Sequence, residues 1–227
     1  MTLTVLAARS GALAIATASY SLAVGNAVPA LVPGLGAAAS QAYTNRALRP
    51  QLLDGLARGL PPSAAIEGMA RRDPAIAFRQ LAVLRADGEG AAMTGARCSA
   101  WAGELRGAGW IAVGNLLAGA SVLGAMARSI EEALGGVRST LDLAAAAVEA
   151  LRAGEAAGGD SRGPQSAALL AATGGAGPEG DLDVDLRADH SAEPLHEIDR
   201  LLALAPADLA DRARAAAKIA ALRSRTG

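Results

Sequence analysis

The sequence contains few cysteine, histidine and aromatic residues, and each shortage excludes a class of site. Its single cysteine, Cys98, allows no disulfide within the chain and no cysteine-based zinc site. The two histidines, His190 and His196, lie six residues apart, which matches neither an HExxH motif nor an i,i+4 metal pair. Two Trp, two Tyr and one Phe are too few for a surface that stacks single-stranded nucleic acid. We therefore expect no metal ion, no cofactor and no nucleic-acid partner.

Charge is also scarce, at 19% of residues, and it balances to a net charge of −1. Such a chain offers no surface for binding a polyanion. Apolar residues make up 52% of the chain, which predicts a folded protein rather than a disordered one. The 227 residues are about one domain in length, and 59 of them are alanine. Because alanine buries little area, we expect a fold in which backbones approach closely.

The longest uncharged stretch, from Ser10 to Asn45, allows three interpretations. A signal peptide needs basic residues before its apolar stretch, whereas here no Lys or Arg precedes the apolar residues that begin at Leu3, and Arg9 interrupts them. A membrane-spanning helix would be broken by several prolines and glycines, and Ala and Ser are weakly lipophilic. A β-hairpin fits better, because apolar runs at 3–9 and 12–19 flank a Ser10-Gly11 turn pair. Both runs are apolar on both faces, so we expect them in a sheet that is covered on two sides.

The pattern beyond the hairpin predicts separate blocks of strands and helices. We expect strands at 27–30, 36–42, 77–85, 91–94, 101–105, 110–116, 166–172 and 182–186. We expect helices at 46–59, 63–72, 121–134, 138–153, 193–205 and 206–225, with Ser63 and Ser121 as N-caps. Segregated blocks indicate an α+β fold with a mostly antiparallel sheet. The composition changes at Pro206, so we predict one domain over 1–205 and a helical tail over 206–227.

Thr2 is the sharpest candidate for catalysis. Removal of the initiator methionine is efficient before a small residue, so we expect the mature chain to begin at Thr2. An N-terminal threonine carries its own general base, because its α-amine lies within reach of its hydroxyl and titrates near neutral pH. The alternative is that many proteins begin with Met-Thr and use neither group.

The glycine-rich segment from Gly158 to Ser166 concentrates polar groups between a predicted helix and a predicted strand. One interpretation is a pocket wall in which Arg162 binds a carboxylate and Asp160 orients either that arginine or the N-terminal amine. The other is an Asp–Arg ion pair that holds the loop in place.

Two further motifs have both a functional and a structural interpretation. Asn115 ends a predicted strand, where its side-chain amide could donate to an oxyanion or cap a turn. Asp181, Asp183 and Asp185 alternate along the chain, and they form either a divalent-cation site or a solvated strand face. The EF-hand pattern fails at Leu186 and Ala192, which favours the solvated face.

Taken together, these stretches resemble the DUF1028 family of N-terminal-nucleophile hydrolases. The similarity runs from residue 2 to about residue 204, and its most specific element is the GGDxRGxQS pattern at 158–166. The other matching pieces are 2–7, Ser19, 22–25, 34–43, 73–74, Arg79-Gln80, 94–95, Cys98, 101–103, 114–115, 117–119, 154–157, 185–187 and 189–190.

The resemblance implies a four-layer αββα sandwich of two antiparallel sheets between helices. It also implies hydrolysis of an amide bond, with the first residue of the mature chain, Thr2, as nucleophile. We therefore predict hydrolysis of a small amide with Thr2, Asn115 and Asp160 in catalysis. The residues that we predict at the substrate are Ser19, Gln41, Arg162, Gln165 and Ser166. Since only Met1 precedes Thr2, no autoproteolytic propeptide is expected. We further expect a cytoplasmic homodimer with no membrane partner.

The sequence departs from the family pattern at three places, which keeps other functions open. Tyr20 replaces the basic residue that usually follows Ser19, the aromatic residue expected near Ala30 is missing, and Leu48-Arg49-Pro50 replaces a Tyr-Gly-Pro pattern. A nearby cation would lower the pKa of the nucleophile, so Tyr20 motivates a second hypothesis, a non-catalytic small-molecule binder. A third hypothesis is a secreted or envelope-associated protein, which the apolar N-terminus motivates. Cleavage of a signal sequence would then remove Thr2.

Overall fold

The computed structural model of the protein describes residues 1–159, 163–174 and 181–223. Ten strands are described: β1 Thr2–Arg9, β2 Ala12–Ser19, β3 Pro29–Val32, β4 Gly36–Ala42, β5 Arg79–Arg85, β6 Gly90–Thr94, β7 Gly103–Gly107, β8 Trp110–Asn115, β9 Ser166–Ala172 and β10 Val184–Ala188. The α-helices described are α1 Val24–Ala27, α2 Leu48–Ala57, α3 Pro62–Arg72, α4 Ala120–Leu134, α5 Thr140–Ala156, α6 Pro194–Leu202 and α7 Ala205–Arg223.

The strands form two antiparallel sheets. The first has six strands in the order β10-β9-β2-β1-β8-β7, so the hairpin of β1 and β2 lies at its centre. Ser10 and Gly11 both have positive φ, which is the conformation that a two-residue hairpin turn requires. The second sheet has four strands in the order β3-β4-β5-β6. The long uncharged run therefore contains the inner strands β2 and β4, together with α1 and the edge strand β3.

Three apolar layers hold the sheets and helices together in the order helix, sheet, sheet, helix. Alternate residues of β1, such as Leu3 and Val5, pack toward α4 and α5. The intervening residues pack between the sheets, where Leu6 meets small side chains such as Ala39 and Ala82. The outer face of the second sheet is covered by α2 and α3. The fold is the αββα sandwich that the resemblance implies, and its buried alanines lie both where helices pack on the first sheet and where the two sheets approach each other.

Several predicted boundaries and caps are wrong. The predicted strand at 27–30 is replaced by α1 and then β3, because Pro29 begins the strand. Ser63 and Ser121 lie inside α3 and α4, whose N-cap residues are Pro61 and Gly119. In contrast, α5 begins one residue after Ser139, whose side chain forms a capping box with Asp142.

The last helix, α7, is exposed along its described length apart from the buried Ala205 and the partly buried Leu209. Arg212 attaches it to the main body by donating to the carbonyl oxygens of Leu182 and Asp183. Within the ranges described, no helix is both long enough and apolar enough to cross a membrane.

Candidate active site

The layer between the two sheets is apolar at one end and polar at the other. At the polar end, side chains from β1, β2, β4, β5 and β8 all point into this layer, because each lies two or four residues along its strand from an apolar inter-sheet residue. These buried polar residues, here called the inter-sheet polar cluster, are Thr2, Thr4, Thr17, Ser19, Gln41, Gln80 and Asn115.

Thr2 lies at the edge of this cluster, flanked by two of the predicted site residues. It is the first residue of β1, and its backbone is paired with Ser19 of β2 on one side and Asn115 of β8 on the other. Its Oγ1 lies 3.0 Å from Ser19 Oγ, and the residue is 8% exposed. The structure therefore brings together Thr2, Ser19 and Asn115, which the sequence separates by up to 113 positions.

Ser19 contacts both the Thr2 side chain and the peptide bond that joins Met1 to Thr2. Its hydroxyl donates to the carbonyl oxygen of Met1 at 2.7 Å, and that carbonyl carbon is bonded to the Thr2 nitrogen. Because a serine hydroxyl has one proton, Thr2 Oγ1 must be the donor in its contact with Ser19. Met1 itself is buried among apolar side chains on the helix side of the sheet.

Gln41 lies behind Thr2 and is fully buried. Its Nε2 donates to Gln80 Oε1 at 2.8 Å and approaches the Thr2 carbonyl oxygen at 3.4 Å. Its Oε1 accepts from Thr4 Oγ1 at 2.6 Å. Both polar atoms of Gln41 thus bind protein, so the residue supports the Thr2 strand from the opposite sheet.

Gln80, like Thr4 and Thr17, belongs to this cluster but was not predicted as a site residue. It extends from β5 across the inter-sheet layer, and its Oε1 accepts from Asn115 Nδ2 at 3.1 Å. Period-two alternation along β5 was the available signal, since it places Gln80 on the same buried face as Ala82 and Leu84. A glutamine at such a position needs partners, and here they belong to the site.

Asn115 opens onto a cleft of about 270 Å³ at this end of the sandwich. The other lining residues are Ala42, Tyr43, Ser99 and Leu116. Tyr43 and Leu116 are exposed large apolar side chains, at 58% and 46%. The cleft combines one buried amide donor with an apolar rim, which is the usual composition of a small-molecule site.

An ion pair anchors the loop that carries Tyr43. Arg79 Nε donates to Asp73 Oδ2 at 2.9 Å, and the same guanidinium donates to the carbonyl oxygen of Tyr43. Asp73 also accepts from Asn45 Nδ2 at 3.3 Å. The hydrogen bond from Arg79 is the main reason that the pKa of Asp73 is lowered. The carboxylate therefore fixes one wall of the cleft.

Gln165 and Ser166 lie beside the Thr2 strand pair but bind protein. Ser166 is paired with Ser19, and its hydroxyl donates to the Ser21 carbonyl oxygen at 2.5 Å and accepts from the Val24 N–H at 3.0 Å. Gln165 donates its backbone N–H to the Ser19 carbonyl oxygen at 2.8 Å, and its side chain contacts His190 at 3.1 Å. Both residues hold the segment that follows Ser19.

The predicted residues Asp160 and Arg162 lie outside the described residues. The helix that leads to them ends close to Glu155, which is half-buried and whose pKa is raised by that burial. No described residue forms a hydrogen bond to Glu155 Oε1, which is buried.

The three alternating aspartates do not share one strand face. Asp181 and Asp183 precede β10, and Asp183 accepts from the backbone N–H and hydroxyl of Thr173. Among the described residues, no three His, Cys, Asp or Glu side chains are grouped as metal ligands.

Comparison with known proteins gives a family and a solved relative. The sequence profile of the family of unknown function DUF1028 matches residues 2–198. The crystal structure of protein SPO2555 from Silicibacter pomeroyi, a DUF1028 protein, is 32% identical, with a TM-score of 0.77. The match covers 88% of this chain and 84% of that one. No curated protein matches the chain.

Proposed function

The chain belongs to the DUF1028 family, and on that premise we propose that it is an N-terminal-nucleophile amidohydrolase that cleaves a small amide. The observation behind the proposal is the position of Thr2. Its hydroxyl faces the inter-sheet polar cluster within hydrogen-bond distance of Ser19, and its strand pairs with Asn115 at the cleft.

The proposed reaction begins once Met1 has been removed and the Thr2 amine is free. The Thr2 hydroxyl attacks the carbonyl carbon of the amide, and its proton passes to the amine. Asn115 Nδ2 donates to the oxyanion that develops on the carbonyl oxygen. The ammonium then returns the proton to the leaving nitrogen, the C–N bond breaks, and an ester on Thr2 remains. Water, deprotonated by the same amine, hydrolyses that ester.

Ser19 has a defined part in this scheme. While Met1 is present, the Ser19 hydroxyl donates its proton to the Met1 carbonyl oxygen. Removal of Met1 takes away this carbonyl group and frees the Thr2 amine, so the Ser19 hydroxyl can donate elsewhere. We propose that Ser19 then donates to the amine and accepts from the Thr2 hydroxyl, 3.0 Å away in this structure, so that the Thr2 proton reaches the amine through Ser19.

The remaining predicted roles belong to the same proposal. Asp160 orients the amine, and Arg162 binds a polar part of the substrate. Gln41 supports Thr2 from the second sheet, while Gln165 and Ser166 shape the wall that follows Ser19. We also propose a cytoplasmic homodimer, and light scattering on the purified protein measures its mass.

A second candidate function is binding of a small molecule without catalysis. It is favoured by Tyr20, which is 46% exposed directly after Ser19 at a position where the family pattern has a basic residue. Such a protein would use the same cleft and leave Thr2 chemically idle.

A screen of small amides separates the two functions. Purified protein is incubated with the amides, and release of amine is measured for the wild type, Thr2→Ala and Thr2→Ser. We expect hydrolysis by the wild type, retention in Thr2→Ser and loss of at least about 10³-fold in Thr2→Ala. Binding by all three proteins with no hydrolysis would support the second candidate.

A further inference from the structure

Gln80 binds the main chain of the opposite sheet with one end of its side chain and the candidate site with the other. Its Nε2 lies 3.0 Å from the Gly103 carbonyl oxygen and 2.9 Å from the Gly114 carbonyl oxygen. Its Oε1 lies 2.8 Å from Gln41 Nε2 and 3.1 Å from Asn115 Nδ2. The side chain is fully buried.

The partners of Gln80 determine which end of its amide is which. Carbonyl oxygens can only accept, so the end that faces Gly103 and Gly114 must be the NH₂ group. A third neighbour, Thr94 Oγ1 at 2.9 Å, donates its own proton to Glu104 and also presents a lone pair to this end, so the two Nε2 protons are shared among three acceptors. The opposite end of Gln80 is therefore an oxygen, and it presents only lone pairs to the site.

The fixed orientation of the Gln80 amide in turn determines the orientation of the Asn115 amide. An oxygen of Gln80 can be contacted favourably only by the NH₂ group of Asn115, because a carbonyl there would place two acceptors together. The second proton of Asn115 Nδ2 is then available at the end of β8, beside Thr2 and the cleft. With the amide reversed, Asn115 would direct an acceptor at the substrate and repel an oxyanion.

We propose that Gln80 is a positioning residue that orients the Asn115 carboxamide so that its NH₂ group faces the oxyanion. The inference rests on the proposed amidohydrolase function. Gln80 does not touch the substrate in this account, and it acts through Asn115. Removing Gln80 should therefore harm the chemical step only while Asn115 is present.

A double-mutant cycle tests this dependence. Rates of amide hydrolysis are measured for Gln80→Met, Asn115→Ala and the double variant, with kcat and KM separated. We expect Asn115→Ala to lower kcat by about 10²–10³-fold, as for other oxyanion donors. Gln80→Met should lower kcat by about 10-fold or more with a smaller change in KM, and the double variant should equal Asn115→Ala. Effects that multiply would overturn the inference.

Ser139→Ala provides the control for lost stability. Ser139 caps α5 near the Ser10 turn, at the opposite end of β1 from Thr2. Its removal should lower thermal stability and leave kcat unchanged. Equal losses of kcat in Ser139→Ala and Gln80→Met would show that stability alone is responsible, which contradicts the inference.

A neutron structure of the wild-type protein tests the amide direction without any substitution. We expect a deuterium on Asn115 Nδ2 to be directed at Gln80 Oε1. An Asn115 amide with its oxygen toward Gln80 would overturn the inference. This result does not depend on whether Gln80→Met folds. A wild-type protein without Thr2-dependent hydrolysis would instead overturn the proposed function, and with it any catalytic consequence of this direction.

Discussion

At the scale of single residues, the site depends on buried polar groups whose partners come from distant parts of the chain. Thr2 and Asn115 could be proposed from the sequence, because an N-terminal hydroxyl and a strand-end amide have recognisable chemistry. The role of Gln80 could not, since it follows from contacts with Gly103 and Gly114 on the other sheet. Sequence patterns locate such a glutamine on a buried face but do not identify what it meets there.

At the same scale, the ionisation of Asp73 makes the stability of the fold depend on pH. Its pKa is lowered in the folded protein, chiefly by the hydrogen bond from Arg79. The ionised carboxylate therefore stabilises the fold fully above its unfolded-state pKa of about 4, and this contribution is lost as pH falls through the lower folded value. We expect Asp73→Asn to reduce the free energy of unfolding by about 2 kcal/mol at pH 7.

The measurement is urea unfolding of the wild type and Asp73→Asn between pH 7 and pH 2. The difference between the two free energies should shrink once the pH is below about 4. A difference that stays constant down to pH 2 would show that the carboxylate is not held by Arg79.

At the scale of helices and strands, the hydrophobic pattern predicted most elements and failed mainly at their ends. β4 and β9 have their predicted bounds, and the hairpin turn at Ser10-Gly11 is confirmed. Ser63 and Ser121 are not caps because Pro62 and Ala120 already have helical conformation, and each helix begins before its serine. The identity of a cap depends on how the helix is held by its neighbours, which local sequence does not report.

Two glycines in the packed pair of helices α4 and α5 give a matched test of this packing. A Cβ at Gly154 would lie 2.8 Å from Met126 Cγ, whereas one at Gly124 would meet only Arg128 Nη1 at 3.6 Å. We expect Gly154→Ala to destabilise the protein by about 1–3 kcal/mol through overpacking. Gly124→Ala should stabilise it by about 0.5–1 kcal/mol through helix propensity.

Thermal unfolding of both variants decides the matter, with an expected rise of a few degrees for Gly124→Ala and a fall for Gly154→Ala. A rise for both would mean that α4 and α5 are farther apart near Met126 than the structure shows.

At the scale of the whole molecule, small side chains allow the layered arrangement. Ala37, Ala39 and Ala82 lie between the sheets beside larger residues such as Leu6 and Ile15. The excess of alanine predicted closely packed backbones, and the structure places buried alanines both between the facing sheets and, in larger number, between the first sheet and its helices. The αββα order itself came from the resemblance to DUF1028 proteins, because periodicity predicts which faces are buried but not which layers meet.

The C-terminal helix allows a test of the predicted boundary at residue 205. α7 is exposed apart from Ala205 and the partly buried Leu209, and its described links to the body include the bonds from Arg212. We expect a chain that ends at residue 205 to unfold cooperatively, with a midpoint within about 4 °C of the full-length value. Loss of cooperative unfolding, measured by calorimetry, would place α7 within the domain.

The central claim is that Thr2 is an N-terminal nucleophile. The most direct test is intact mass spectrometry after treatment with an electrophile that acylates nucleophilic hydroxyls, such as a β-lactone. We expect the purified protein to lack Met1 and to gain the mass of one adduct mapped to Thr2. Thr2→Ala should lose that adduct, and Ser139→Ala should retain it. A protein that keeps Met1 quantitatively, or that is labelled equally with and without the Thr2 hydroxyl, would contradict it.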